Sequence, residues 1–232
     1  MYVQDIKTRI FVENENIINF ITEHIAELEE KSVVVITSKI VALAEGRTVE
    51  CKNQEEKDII IKEESESVLR TEHVLLTVRN GSLMTNAGVD ESNANGKLIL
   101  LPEDSFLSAS RIREALKKHY DVDELGVVVT DSRTAQFKAG VIGVALGYSG
   151  FKGIRDYKGT KDLFGRVIKF SRMDIADSIA TAAVLVMGEG RECKPLAVVS
   201  DVPIDFCDVI NEKELFIPIE DDLYLPFFKH LD

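Results

Sequence analysis

The stretch "SVVVITSKIVALAEGR", Ser32 to Arg47, begins with an unbroken apolar run. Ser32–Thr37 is predicted to be a buried strand, because short runs of this composition fill the interior of a sheet. Lys39 follows directly after this strand, where its ammonium group can meet a phosphate. The alternative is a surface lysine whose alkyl stem lies along the protein, and the stretch alone favours neither interpretation.

Further elements are predicted on both sides of this strand. Helical periods predict helices over 16–30, over 104–120 (capped by Asp104 or Ser105) and over 174–187. Apolar runs predict strands at 73–78, 97–101, 126–130 and 195–200, and the glycine-rich stretch 139–153 predicts strands with tight turns. This mixture indicates an α/β (mixed α+β) protein. No repeat or linker marks a boundary, so residues 1–232 are predicted to form a single domain, with two subdomains as the alternative.

The composition narrows the class of protein. The 232 residues are 45% hydrophobic and 29% charged, which describes a globular protein with a substantial core. A formal net charge of −12 argues against a nucleic-acid partner, although an acidic site can still hold a nucleotide through divalent metal ions. The three cysteines, which lack Cys-x-x-Cys spacing, fit a reducing cytoplasm. The sequence shows no signal peptide and no apolar run of membrane-spanning length, so a cytoplasmic protein with no membrane partner is expected.

Common catalytic motifs are missing from the sequence. It contains no GxxxxGK[ST] phosphate loop, no GxSxG nucleophile elbow and no HExxH zinc motif. Gly147, Gly150 and Gly153 form a GxxGxxG spacing, for which turns among strands are the favoured interpretation.

Oxygen-bearing side chains stand in loops or at the ends of predicted elements: Asp90 and Asn93 in "NAGVDESN" (86–93), Asp131 and Ser132 after the strand 126–130, and Glu189 after the helix 174–187. Mg²⁺ and Mn²⁺ bind a few carboxylate and hydroxyl oxygens and keep open positions for phosphate. Asp90 and Asn93 can instead close Asx-turns, Asp131 can cap a turn, and Glu189 can simply be solvated. The pattern alone therefore gives a metal-site hypothesis beside these simpler interpretations.

Polar residues also recur along the predicted helix 174–187. Asp174, Asp177, Ser178 and Thr181 follow the spacing i, i+3, i+4, i+7, which places them on one face. A solvated helix face is the prediction.

Nine segments span roughly Val33 to Asp201, most of the chain, and are, in order, "SKIVALAEGR", "ESVLR", "NAGVDESN", "LLPEDS…SASRIREAL", "VVVTDS", "GVALG", "DYKGTKDLFGR", "DIADSIATAAVLVMGEG" and "PLAVVSD". Through these segments the chain resembles the coenzyme F420-0:γ-glutamyl ligase family. The resemblance implies a two-part α/β fold, a homodimer, and a ligase that uses GTP to join L-glutamate to a carboxylate acceptor through an acyl phosphate. It also implies Mg²⁺ or Mn²⁺ as cofactor, with K⁺ as a candidate further ion.

The resemblance assigns roles residue by residue. The metal ligands would be Asp90, Asp131, Ser132 and Glu189. The nucleotide would contact Ser38, Lys39, Asn93 and the turn "GEGRECKP", within which Gly188, Glu189, Gly190 and Glu192 are the expected contacts. Lys39 and Asp131 would be the catalytic residues.

The sequence departs from the family pattern between residues 133 and 143. Arg133 to Gln136 stand where members that make the deazaflavin coenzyme have Phe-Gly-Arg-Pro, and Val141 and Gly143 replace a glutamine and an aspartate. Leu43 replaces a lysine that is often present. The metal positions are therefore retained better than the acceptor positions. The expected acceptor is coenzyme F420-0 or a related compound; the alternatives are a folate or pteroate acceptor, or a nucleotide- and metal-binding homologue without turnover.

Overall fold

The computed structural model describes residues 1–94 and 96–228, so Asn95 and residues 229–232 of the predicted domain lie outside the described residues. The strands are β1 Tyr2–Ile6, β2 Ser32–Thr37, β3 Thr48–Glu50, β4 Ser67–Arg70, β5 Leu75–Arg79, β6 Ser82–Thr85, β7 Lys97–Ile99, β8 Leu125–Thr134, β9 Val141–Ser149, β10 Ile154–Asp156, β11 Arg172–Asp174 and β12 Leu196–Ser200. The helices are α1 Ile17–His24, α2 Ser38–Ala44, α3 Gln54–Glu63, α4 Ser105–Tyr120, α5 Ile175–Met187 and α6 Leu225–Phe228. In the described ranges no helix is long and apolar enough to cross a membrane.

The largest sheet has the strand order β1-β12-β2-β8-β9. Strand β2 runs parallel to β8, with Thr37 opposite Thr130, and antiparallel to β12, with Ile36 opposite Leu196. Parallel strands end at the same edge of a sheet, and an antiparallel neighbour begins there. The residues after β2, the residues after Thr130 and the turn before β12 are therefore brought to one edge.

Both faces of β2 are covered by helices, as its apolar sequence requires. Val34 and Ile36 belong to a core with residues of α1, α2 and α4, while Val33 and Val35 belong to a second core with residues of α5. Successive side chains of a strand point to opposite faces, so one short segment contributes to both cores.

A smaller core lies within residues 48–101. Its buried side chains are Ile61 of α3, Leu75 of β5, Ala87, Val89 and Leu98 of β7. Strands β4, β5 and β6 form one antiparallel sheet, and β3 pairs with β7. The mixed α/β fold class is thus confirmed, whereas the assignment of one domain or two subdomains stays a prediction.

Gly150 shows why glycines recur in the stretch 139–153. Its φ of +94° is in the left-handed region, and a Cβ there would lie 2.0 Å from the carbonyl oxygen of Leu125. That oxygen accepts a hydrogen bond of 2.7 Å from Nε of the buried Arg113. The interpretation of this stretch as strands and turns is confirmed, because β9 occupies 141–149 and turns at Gly150.

The predicted helix 16–30 is wrong in its second half. Helix α1 ends at His24, because Ile25 takes an extended conformation (φ −111°, ψ 105°). Ile25 and Leu28 are nevertheless buried in the core, and the hydroxyl of Tyr120 donates a hydrogen bond to the Ile25 carbonyl. The apolar period therefore reflects burial, and a tertiary hydrogen bond takes the place of a helical one.

The predicted strand 126–130 is too short. Strand β8 continues through Asp131 and Ser132 to Thr134, with Asp131 opposite Val144 and Ser132 opposite Gly143 of β9. The register shifts between Val129 and Thr130, just before this polar continuation. Main-chain pairing with β9 holds these residues in the sheet, so Asp131 does not follow the strand but lies within it. The other predicted strands and helices have ends within two residues of the observed ones.

Candidate functional site

The predicted site residues are brought to the sheet edge at which β2 ends. Ser38, which is buried, and Lys39 open α2 immediately after β2. The turn 188–195 arrives beside them, because the N–H of Thr37 donates to the carbonyl of Pro195 at 3.0 Å. Asp131 lies one residue beyond the Thr130 that pairs with Thr37.

Lys39 forms an ion pair with the loop 86–93. Its Nζ lies 2.7 Å from Oδ2 of Asp90, and it donates to Oγ and the carbonyl of Ser92 at 2.8 and 3.0 Å. Although burial opposes ionisation, the hydrogen bonds from Lys39 and from the Ser92 N–H keep the pKa of Asp90 below its ordinary value. Lys39 is therefore not a solvated surface lysine; its ammonium is directed into the site.

The backbone around Asp90 is fixed on two sides. Its N–H and carbonyl pair with Ile99, at 2.9 and 2.8 Å. Its Oδ1 accepts the N–H of Ser92 at 2.6 Å, so the predicted Asx-turn is present together with the ion pair to Lys39. Asn93 is exposed and has a φ of +56°, in the left-handed region that asparagine tolerates.

Asp131 is the most perturbed carboxyl of the group. Burial raises its pKa to about 6, against which the Ser132 N–H and the charge of Arg133 act. The negative charges of Asp90 and Glu189 raise the pKa of Asp131 further, so both carboxylates lie close enough to Asp131 to repel its charge.

Ser132 and Glu189 connect β8 to the turn after α5. The hydroxyl of Ser132 donates to Oε1 of Glu189 at 2.6 Å. Glu192 bends back into the same turn, where its Oε2 accepts the N–H of Gly190 at 2.8 Å. Gly188 has a φ of +82°, a conformation that residues with a Cβ rarely adopt, so the turn needs glycine there.

The donor chemistry suits a hard divalent cation, because carboxylates and a hydroxyl meet where negative charge is in excess. In the described part of the chain, however, no group of three or more His, Cys, Asp or Glu residues is arranged to hold a metal ion. The Lys39 ammonium lies on Asp90, and the Ser132 hydroxyl lies on Glu189. The carboxylates therefore approach one another without forming a preassembled metal cluster.

The prediction of a solvated face on helix 174–187 holds for Ser178 and Thr181, which are exposed, and is wrong for Asp174 and Asp177, which are half-buried. Oδ1 of Asp177 accepts the N–H of Ala145 at 2.8 Å, and Oγ1 of Thr181 donates to the carbonyl of Gly143 at 2.6 Å. A Cβ at Gly143 would lie 2.5 Å from Cγ2 of Val184, so α5 packs directly against β9. The glycine that departs from the family pattern is the sequence signal for this close packing.

Two other departures also have structural consequences. The Nε of Arg133 is buried and has no hydrogen-bond partner among residues 1–94 and 96–228. Leu43, which replaces a lysine, is partly buried and packs against two hydrophobic clusters.

Comparison with known proteins shows the family to which the chain belongs. The family model for F420-0:Gamma-glutamyl ligase matches residues 5–201. The coenzyme F420:L-glutamate ligase of Methanopyrus kandleri is 37% identical over 192 residues, covering 75% of this chain and 76% of that protein. The enzyme of the same name from Haloarcula marismortui is 36% identical over 222 residues, covering 85% of each chain, and that from Methanosarcina mazei is 33% identical over 211 residues, covering 83% and 82%. The chain therefore belongs to the F420-0:γ-glutamyl ligase family and is an amide-bond-forming ligase.

Proposed function

We propose that this protein uses GTP to join L-glutamate to a carboxylate of coenzyme F420-0 or a related acceptor. The observation that carries the proposal is the meeting of Lys39, Asp90, Asp131, Ser132 and Glu189 at one sheet edge in a chain of this family. The relatives named coenzyme F420:L-glutamate ligase support the choice of glutamate and of the acceptor class.

The nucleotide and the cations share that edge in the proposal. Nucleotide contacts come from Ser38, Lys39, Asn93 and from Gly188, Glu189, Gly190 and Glu192 of the turn. Asp90, Asp131, Ser132 and Glu189 hold Mg²⁺ or Mn²⁺, with K⁺ as a further candidate ion. When bound, such ions neutralise the oxygens of the transferred phosphoryl group. The Lys39 ammonium exchanges part of its contact with Asp90 for a phosphate oxygen, which keeps it paired throughout.

The reaction needs an activated acceptor, because a carboxylate is a poor acyl donor. Transfer of the γ-phosphoryl group of GTP to the acceptor carboxylate gives an acyl phosphate and releases GDP. The amino group of glutamate, after losing a proton, attacks the acyl carbon; the amide bond forms, the C–O bond to phosphate breaks, and inorganic phosphate leaves. Lys39 supplies a fixed positive charge where the phosphoryl group is transferred.

A changed acceptor is the second candidate function, and Gly143 favours it. The family aspartate at this position has no counterpart, because the backbone there packs against Val184 without room for a side chain. An acceptor contact made by that aspartate is lost, and an acceptor with different polar groups is favoured. A folate or pteroate acceptor is the alternative within this chemistry, and a homologue that binds nucleotide and metal without turnover is the alternative outside it.

The proposal also includes that this protein forms a homodimer and acts in the cytoplasm. The segment between β10 and β11 exposes Leu163, Phe164 and Phe170, with 98%, 96% and 84% of their surface accessible. Apolar side chains exposed together usually mark a binding surface. The three free cysteines fit a reducing compartment.

The reaction is tested by phosphate release from GTP in the presence of Mn²⁺ and L-glutamate. Parallel samples contain the deazaflavin precursor F420-0, dihydropteroate, dihydrofolate or no acceptor. We expect release with one acceptor and a product heavier by one glutamate residue in mass spectrometry. If GTP binds but no acceptor promotes release, the ligase proposal is wrong and the non-catalytic alternative gains support.

Asp131→Asn is expected to abolish turnover and to stabilise the metal-free fold. At pH well above 6, Asp131 is ionised in both states. Its ionised form is less stable in the folded chain, where the pKa is about 6, than in the unfolded chain, where the pKa is near 3.8. Removing this charge should raise the unfolding free energy by on the order of 3 kcal/mol at pH 8, and the gain should disappear below about pH 4.

Denaturant unfolding with a chelator at both pH values measures this gain, and the exposed Asp123→Asn is the control. Wild-type turnover in Asp131→Asn would remove Asp131 from the reaction. A stability unchanged at pH 8 would show that the carboxylate is not disfavoured in the fold.

Lys39→Ala is expected to weaken GTP binding by roughly tenfold or more, because it removes a charge-assisted contact to phosphate. The measurement is the Kd for GTP by calorimetry with Mn²⁺ present. Lys118→Ala, on the exposed face of α4, removes the same charge away from the site and should leave the Kd unchanged. Equal affinity in both variants would contradict the assignment of Lys39.

A double substitution, Leu163→Ser with Phe164→Ser, is expected to produce monomers. Sedimentation equilibrium of the wild type should give twice the mass of one chain, and the double variant should give the mass of one. Leu223→Ser, which alters another exposed leucine, is the control. A monomeric wild type, or a dimeric double variant, would overturn this surface as the dimer interface.

A further inference from the structure

A cavity of about 290 Å³ lies beside the site, between the β5–β6 hairpin, β9, the start of α5, residues 215–217 and Asp222. Its wall includes charged side chains of both signs: Arg79, Arg133, Asp174, Asp177 and Asp222. Pockets for drug-sized ligands usually measure roughly 300–1,000 Å³, so this cavity suits a small ligand better than a deazaflavin or a pterin conjugate. A small ligand with both positive and negative groups would match the wall.

Arg133 supplies positive charge to this wall, and one of its donors lacks a protein partner within residues 1–94 and 96–228. Its Nε is buried without a hydrogen-bond partner in the described residues. A buried N–H without a partner is unfavourable, and a guanidinium group binds a carboxylate through two parallel hydrogen bonds. Asp131 and Asp177 are the negative charges that act on Arg133. Arg133 thus lies between the sheet-edge site and the cavity.

Asp174 and Asp177 supply the opposite charge. Oδ1 of Asp174 caps α5 by accepting the Asp177 N–H at 2.9 Å, and Oδ1 of Asp177 accepts the Ala145 N–H at 2.8 Å. These bonds fix both carboxylates and leave the second oxygen of Asp177 available for a ligand. Burial raises the pKa of both carboxyls, that of Asp174 to about 6, which a cationic ligand group would offset.

We propose that this cavity binds a zwitterionic α-amino acid, with the α-carboxylate on Arg133 and the α-ammonium on Asp177 and Asp174. The identification of that amino acid as L-glutamate rests on the function proposed above. Arg133 follows Asp131 by two residues on β8, so both project from the same face of the strand. An amino acid held by Arg133 therefore lies beside the sheet edge at which the acyl phosphate is proposed to form.

The test uses direct binding, without GTP or acceptor, and ligands that lack one charge each. Glutarate lacks the amino group of L-glutamate, and 4-aminobutyrate lacks the α-carboxylate. By calorimetry, the wild type should bind L-glutamate at least about tenfold more tightly than either analogue. Asp177→Asn should lose the preference over glutarate, and Arg133→Gln should lose the preference over 4-aminobutyrate.

Two features keep the outcome clear. The variant Asp177→Asn retains the oxygen that accepts the Ala145 N–H, so it is expected to fold. If Arg133→Gln does not fold, the binding measured with Asp177→Asn decides the proposal. Exposed Arg111→Gln and Asp123→Asn are the charge-matched controls and should behave as wild type.

Failure of this proposal and failure of the proposed function are distinguishable. Turnover with an unchanged KM for L-glutamate in Asp177→Asn overturns the cavity assignment and leaves the function standing. Selective L-glutamate binding that depends on Asp177, in a protein without turnover, supports the cavity and counts against the ligase reaction. A wild type that does not distinguish L-glutamate from glutarate overturns the cavity assignment.

Discussion

The parallel pairing of β2 with β8 is the constraint on which the rest of the molecule depends. It places Thr37 opposite Thr130, so that Lys39 and Asp131 emerge at the same edge from rigid strands. The antiparallel entry of β12 adds the glycine-rich turn, which Thr37 holds through Pro195. The Lys39–Asp90 ion pair then joins the smaller core of residues 48–101 to this edge. Loss of this pairing would separate Ser38 and Lys39 from Asp131 and Ser132.

Elements whose local signals agree with their burial could be predicted from the sequence. Helices α4 and α5 were predicted to within a residue at each end, because Asp104 and Asp174 cap them through side-chain hydrogen bonds. The end of α1 and the polar half of β8 could not be predicted, because each depends on a hydrogen-bond partner that is distant in the sequence. Tyr120 bonds the chain where α1 ends, and β9 pairs with Asp131 and Ser132. A hydrophobic pattern indicates which residues are buried, but it does not indicate such hydrogen bonds.

The candidate site divides in the same way. Single residues such as Asp90 and Glu189 were ambiguous from pattern alone, and only the resemblance selected them; the structure adds that they act on Asp131 electrostatically. The polar face of α5 was misjudged because its contact, Ala145, lies on a strand about thirty residues earlier. Arg133 was visible only as a departure from the family. Its importance follows from a missing hydrogen-bond partner, a property that no sequence motif encodes.

The negative charges that favour cation binding at the site lower the stability of the folded chain without a ligand. Asp131 is kept where burial and two like charges oppose its ionisation, and a single lysine, Lys39, neutralises only Asp90. Such a site is unfavourable when it is vacant, and its free energy falls when positive charge enters. The same reasoning applies across Arg133, where the raised pKa of Asp174 and Asp177 favours a cationic group. In the function and the amino-acid site proposed above, a metal–nucleotide complex supplies that positive charge at Asp131, and the ammonium group of an amino acid supplies it at Asp174 and Asp177.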